Sequence, residues 1–153
     1  MKKEIVGLAM LLSICLAGCG KIAYPVLPDD PIAFTMGEFV DNEHDDALFG
    51  TIEYNGRTYI PYGTTNSSYD QKSIDKCIGY LIMDDNSTAV SDSDNKNTRI
   101  YTVSEDSDNN FLMEYDETIE LMNQPSFYRA LDTKGIDIKI PKFIDASGYE
   151  FWG

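Results

Sequence analysis

The chain has 153 residues, 42% of them hydrophobic and 12% aromatic, with 26 acidic against 12 basic side chains and a formal charge of −14. That is one domain's worth of chain, too rich in aromatics for a disordered protein. A field of that sign excludes nucleic acid as a partner and favours cations and cationic peptides.

Lys2 and Lys3 open the chain, and Ile5 to Ala17 follow as an apolar stretch broken only by Ser13. A transmembrane helix needs about 20 residues, so this stretch reads as an export signal. It ends in Leu16-Ala17-Gly18-Cys19. In that motif the chain resembles the bacterial lipoprotein signal family. The resemblance implies cleavage between Gly18 and Cys19, with a diacylglyceryl group on the Cys19 thiol and acyl chains such as palmitate. Two acyl chains hold a protein stably at a membrane. The expected location is the extracytoplasmic face of the cell membrane.

Removal of residues 1–18 leaves 135 residues with 10 basic and 25 acidic side chains, a charge of −15. Cys15 leaves with the signal and Cys19 is the lipid site. Cys77 therefore has no partner for an internal disulfide and reads as a small buried hydrophobe.

Residues 19–47 read as a lipidated N-terminus and tether. Pro25, Pro28 and Pro31 favour extended chain, and the acidic run Asp41 to Asp46 extends it further. A coil of that length spans roughly 30 Å. Ile32-Ala33-Phe34 is the part suited to packing on the domain. The globular domain is expected over 48–153.

Thr51 to Ile60 carry the clearest local signal. Asn55-Gly56 between β-formers predicts a type I′ hairpin, with Tyr54 opposite Arg57 and Ile52 opposite Tyr59. Ser73 to Lys76 suggest one helical turn. Cys77 to Met83 are apolar on both faces and read as a central strand. Residues 84–97 are polar and read as a loop. Arg99 to Ser104 and Phe111 to Tyr115 read as strands around the loop Glu105 to Asn110. Thr118 to Met122 fit strand or helix. Pro125 to Leu131 predict a short helix, with Pro125 in its first turn and Gly135 past its end. Ile136 to Ile140 alternate as a strand that Pro141 ends. The expected fold is α+β, a mainly antiparallel sheet with one short helix, with all-β as the alternative.

The chemistry-bearing clusters are few. Asp106, Asp108, Asn110 and Glu117 have the spacing of calcium ligands in an EF-hand, but Phe111 stands where the loop needs glycine. Asp106 to Asn110 therefore read as a solvated hairpin loop. Asp41, Glu43, His44, Asp45 and Asp46 lie next to one another on the expected tether, too flexible for a dedicated metal site. The sequence carries no nucleophile elbow or phosphate loop, and His44 is its one histidine. No catalytic residues, metal or cofactor are assigned, and the protein reads as a non-enzyme. Tyr54, Arg57, Tyr59, Asp106 and Asp108 are the candidate ligand-binding residues. Most strand tyrosines are expected in the core. Tyr149, Phe151 and Trp152 are expected to pin the C-terminus to the sheet.

A second resemblance rests on Ile52, Tyr54, Gly56 and Tyr59 of the hairpin and on Gly79-Tyr80-Leu81. Over Thr51 to Tyr115 this pattern is similar to the lantibiotic-immunity lipoproteins of the nisin and subtilin type. It implies interception of a cationic antimicrobial peptide at the membrane, and it transfers no binding residue. The expected function is a membrane-anchored, non-catalytic binding module. The alternatives are an accessory subunit docking a membrane protein, and an extracytoplasmic carboxylate-dependent hydrolase.

Overall fold

The computed structural model describes residues 22–82, 96–118 and 124–153. The expected signal with Gly18 and Cys19, most of the polar loop over 84–97, and nearly all of the ambiguous stretch 118–122 lie outside the described residues.

The described chain is a curled, mostly antiparallel sheet, and it fits the all-β alternative rather than α+β. Its strands are β1 (Ile32–Thr35), β2 (Gly37–Asp41), β3 (Ala47–Tyr54), β4 (Arg57–Thr65), β5 (Ile74–Ile82), β6 (Thr98–Val103), β7 (Phe111–Asp116), β8 (Ser126–Ala130) and β9 (Ile144–Ala146). Helical geometry among the described residues is limited to single 3-10 turns at Gln71–Ser73, Leu131–Thr133 and Glu150–Trp152.

The strand order is β1-β5-β6-β7-β8-β4-β3-β2, with β9 pairing β4 to one side. β1 runs parallel to β5, and β2 runs antiparallel to β3. Only Met36 separates β1 from β2. One ten-residue run of chain, Ile32 to Asp41, therefore closes both ends of the sheet on itself.

Two apolar layers hold this arrangement. The inner one joins Phe34, Ile52, Tyr59, Ile78, Leu81, Ile100, Leu112, Tyr128 and Ala130, drawn from seven strands. The outer one joins Tyr62, Ile74, Cys77, Tyr101, Val103, Phe111, Met113, Phe127, Phe143 and Ile144. Strand alternation divides them: Leu112 points inward while Phe111 and Met113 point outward. Ile22, Tyr24, Leu27, Ile138 and Trp152, from the two ends of the chain, cover the outer layer. Both faces of the central strands are dry, which explains why Cys77 to Ile82 lack a polar side.

The hairpin matches its reading. Tyr54 pairs with Arg57 and Ile52 with Tyr59, and Asn55 and Gly56 take φ of 51° and 75°. On the other face Thr58 Oγ1 donates to Glu53 Oε1 at 2.6 Å. The turn expected at Ser73 to Lys76 lies two residues earlier, at Gln71–Ser73, where the Asp70 carboxylate accepts from Lys72 N at 2.8 Å, and residues 74–76 belong to β5 instead.

Four expectations are corrected. The tether over 19–47 does not hold: from Ile32 the chain is in the sheet, and Phe34 and Asp41 are buried. Its prolines and charges describe a stretch whose alternate side chains, Phe34 and Phe39, still find apolar partners. The domain boundary at residue 48 moves accordingly to the N-terminal side of Ile32. The helix over 125–131 is β8, because β4 and β7 flank it and supply backbone partners on both edges. Its period is two: Phe127 faces the outer layer, Tyr128 and Ala130 the inner. Gly135 does sit at positive φ, 72°, but it follows a 3-10 turn. Residues 136–140 have no sheet partner; Ile138 packs on the outer layer while Ile136 and Ile140 remain exposed. Ile136 instead gives its carbonyl to Arg129 Nη2 at 3.4 Å.

The C-terminus is pinned by two of the three expected aromatics, while Tyr149 remains exposed. Phe151 is buried, and Trp152 donates Nε1–H to Pro61 O at 2.9 Å. The Arg129 guanidinium lies 4.7 Å from the Trp152 ring centroid and 5.3 Å from that of Tyr62, a cation–π stack within the outer layer.

Candidate functional site

The sheet has two ends. At one, β6 and β7 meet through Thr98 and Asp116, with Arg99 opposite Tyr115. At the other lie the 104–110 loop, the Asn55-Gly56 turn and the Leu131–Thr133 turn. The sequence-predicted residues gather at this second end.

Arg57 is its centre. Its Nε and Nη2 donate to the Asp132 carboxylate at 2.9 and 2.6 Å, a bidentate fork. Its Nη1 donates to the carbonyls of Asp108 and Asn109, both at 3.0 Å, and Nη2 also reaches Asn110 Oδ1 at 3.1 Å. The Tyr59 hydroxyl donates to Asn109 O at 2.6 Å. Asp106 accepts from Phe111 N at 2.7 Å and so closes its own loop. The structure thus brings Arg57, Tyr59, Asp106 and Asp108 together, and it employs them in fixing the loop. Tyr59 is fully buried and offers no binding surface, and half-buried Tyr54 packs its ring 6.3 Å from Phe34. Asp108 keeps an exposed side chain and lends only its carbonyl.

Sequence reasoning missed Asp132, which lies 75 residues from Arg57. No local pattern links the two; the β4–β8 register does, because it sets Tyr59 against Ala130. The Arg57 guanidinium holds the Asp132 carboxyl below the usual carboxylate range. A depressed folded pKa contributes stability above the unfolded value, near 4, and loses it as pH falls through the folded value. Arg57→Ala is expected to cost about 2 kcal/mol in urea unfolding at neutral pH, a partly solvated fork being worth less than a buried one. The variant should also show a shallower loss of stability on acidification than the wild type. Equal acid slopes would remove Asp132 from this role.

Beside the fixed loop lies an open depression of about 410 Å³, lined by Asp75, Val103, Ser104, Glu105, Asp106 and Ser107. Three of these carry carboxylates, and Val103 is buried beneath them in the outer layer. Asp75 accepts from Thr102 Oγ1 at 2.9 Å, and Glu105 stands at positive φ, 64°, with Lys139 3.4 Å away. The backbone that carries this acid set is anchored by Ser104 N to Ser73 O at 2.9 Å and by Ala130 N to Asn110 O at 2.8 Å. Of the predicted site residues only Asp106 lines the depression. Asp75 and Glu105 went unnoticed because acidic residues are frequent throughout the chain and these two lie on different strands' ends.

The acidic run on the β2–β3 turn takes a different form from a flexible chain. Asp41, Glu43 and His44 place one potential ligand atom each within 4.8 Å of one another. Buried Asp41 is the hub, accepting from Glu43 N at 3.0 Å and facing His44 Nδ1 at 2.6 Å. Glu43 also meets Lys134 Nζ at 3.2 Å. These bonds account for the cluster as a closed turn. Cys77 is buried, its thiol pushed up by burial and held 3.6 Å from Gly79 O, an environment opposite to that of a reactive thiolate.

The fold and site define a small curled-sheet protein with an acid-lined surface depression. No protein-family model, curated protein or solved structure matches the chain. Among the described residues no helix is long and apolar enough to cross a membrane.

Proposed function

We propose that this protein is a membrane-anchored extracytoplasmic lipoprotein whose domain binds a cationic peptide without catalysis. The supporting observation is the depression at 103–107, where Asp75, Glu105 and Asp106 come together beside a loop fixed by Arg57. Converging carboxylates match the lysines of a cationic peptide. The overall charge of −14 steers such a peptide inward from a distance. The lipobox supplies the anchor, and the lantibiotic-immunity resemblance names a cationic peptide of the right kind.

The test is thermal unfolding of a soluble form beginning after Cys19, with a nisin-type lantibiotic at physiological salt. Saturation at one hundred times the dissociation constant stabilises by about 2.7 kcal/mol. That gain should vanish in Asp75→Asn/Glu105→Gln, which leaves the Arg57 fork intact. Absence of any shift in the wild type at physiological salt rejects the cationic-peptide reading.

A second reading, docking to a membrane-protein partner, is favoured by the β2–β3 ribbon. Val40 and Leu48 face each other across the two strands and are 44% and 60% exposed. Such a pair suits a protein contact better than solvent.

A further inference from the structure

We infer that the domain stands directly on the bilayer, with the Tyr24–Tyr115 end of the sheet against the headgroups and the acid-lined depression at the far end. The inference rests on the lipoprotein reading above and adds to it a distance and an orientation. Gly20 and Lys21 separate Cys19 from Ile22, and those three steps of fully extended chain reach at most about 11 Å. Ile22 already packs on the outer layer with Tyr24 and Leu27. No stalk of the expected kind is left between lipid and domain.

The point of attachment is fixed from several sides. The Tyr24 ring stacks on Tyr115 with centroids 4.1 Å apart and planes 13° from parallel. It lies 5.8 Å from the Tyr101 ring, and its hydroxyl is 3.4 Å from that of Tyr69. Burial pushes the Tyr24 phenol up to about 12, consistent with a ring held out of water.

Strand direction supplies the orientation. Tyr115 pairs with Arg99 near the start of β6, whereas Val103 ends β6 and leads into the depression. Phe111, at the start of β7, lies four residues from Tyr115, or about 14 Å along the strand. The chain that leads from Tyr24 back to Cys19 therefore starts beside Tyr115, four strand residues from Phe111 and the loop that carries Glu105 and Asp106. The bilayer occupies the Tyr24 end, and the depression opens toward whatever arrives from outside.

The full lipidated protein, reconstituted into neutral phosphatidylcholine vesicles, tests this. Ala23→Cys and Asp108→Cys each place a fluorophore on an exposed position at one end, and buried Cys77 stays unlabelled. A nitroxide carried on the lipid headgroup reports close approach. The expected result is loss of emission at position 23 and none at 108. Vesicle flotation is read in parallel, with Cys19→Ala as the unanchored control. Flotation that depends on Cys19, with neither probe quenched, overturns the close seating and leaves the anchor reading standing. Flotation with quenching at 108 overturns the orientation. Flotation that survives Cys19→Ala, or fails in the wild type, overturns the anchor reading and the inference with it.

Discussion

Raised above pH 10, the protein should unfold in a single steep transition in which several tyrosines ionise together. Burial pushes the phenols of Tyr24 and Tyr59 up to about 12 and those of Tyr69, Tyr101 and Tyr128 higher still. Tyr128 donates to Glu114 Oε2 at 2.6 Å and Tyr101 to Glu117 Oε1 at 3.1 Å, so a phenolate at either position would face a carboxylate. A raised folded pKa means that the neutral form is preferred. The stability is therefore fully present below the unfolded value near 10 and is lost as pH rises through the folded values. For Tyr59, a two-unit displacement is worth about 2.7 kcal/mol at most. Five such groups together rival the whole stability of a small domain, about 5–15 kcal/mol. Phenolate absorbance and far-ultraviolet circular dichroism should move together between pH 10 and 12. Tyr69→Phe keeps the ring and removes one linked proton, so its transition should be less steep and lie at higher pH. A gradual titration of all ten tyrosines near pH 10 with the sheet intact would show these rings to be open to water.

The second large effect concerns Gly79. A Cβ there would stand 2.0 Å from Ile32 O and 2.8 Å from Ile32 C, backbone atoms that cannot turn aside. Gly79→Val is expected to undock β1 and cost about 3 kcal/mol or more. For a domain of this size that is a fall in Tm of about 10 °C. Because β1 and β2 close the sheet together, protease cleavage between Phe34 and Ala47 should follow. Gly63 is the matching position for β9, where a Cβ would meet Asp145 O at 1.9 Å. Gly63→Val should be as destabilising but should also change the fluorescence of Trp152, the one tryptophan, which rests on Pro61. Gly79→Val should leave that emission unchanged below its own transition. A wild-type Tm for either variant would mean that the extra strand is not held where the backbone places it.

Both experiments bear on function through the same geometry. The tyrosine layer fixes Tyr24, and with it the place where the chain leaves for Cys19. The closure at Gly79 fixes the β5–β6 pair on which Asp75 and Val103 are carried. Loss of either should loosen the depression as well as the fold.

What the sequence determined by itself was local or compositional. The lipobox expectation rests on four adjacent residues, and the excess of carboxylates is a matter of counting. The Asn55-Gly56 hairpin and its register follow from two residues that tolerate positive φ. The strand over Phe111 to Tyr115 and the pinning of Phe151 and Trp152 were legible from short runs of residues as well. Tertiary structure decided whatever depended on distant partners. Ser126 to Ala130 carry helix punctuation on both sides, yet two neighbouring strands offer them more backbone hydrogen bonds than one short helix could. Ile32 to Asp41 read as tether because three prolines precede them and an acidic run follows, and they became strands because both ends of a curled sheet needed an edge covered. Arg57 was visible as a candidate, but its partner Asp132 was not, since only the β4–β8 register brings residues 75 apart into contact. The depression has the same origin: Asp75 and Glu105 are unremarkable acids until two strand ends meet. Periodicity and turn chemistry act over a few residues, whereas a closed sheet makes its surfaces from chain segments that know of each other only after folding.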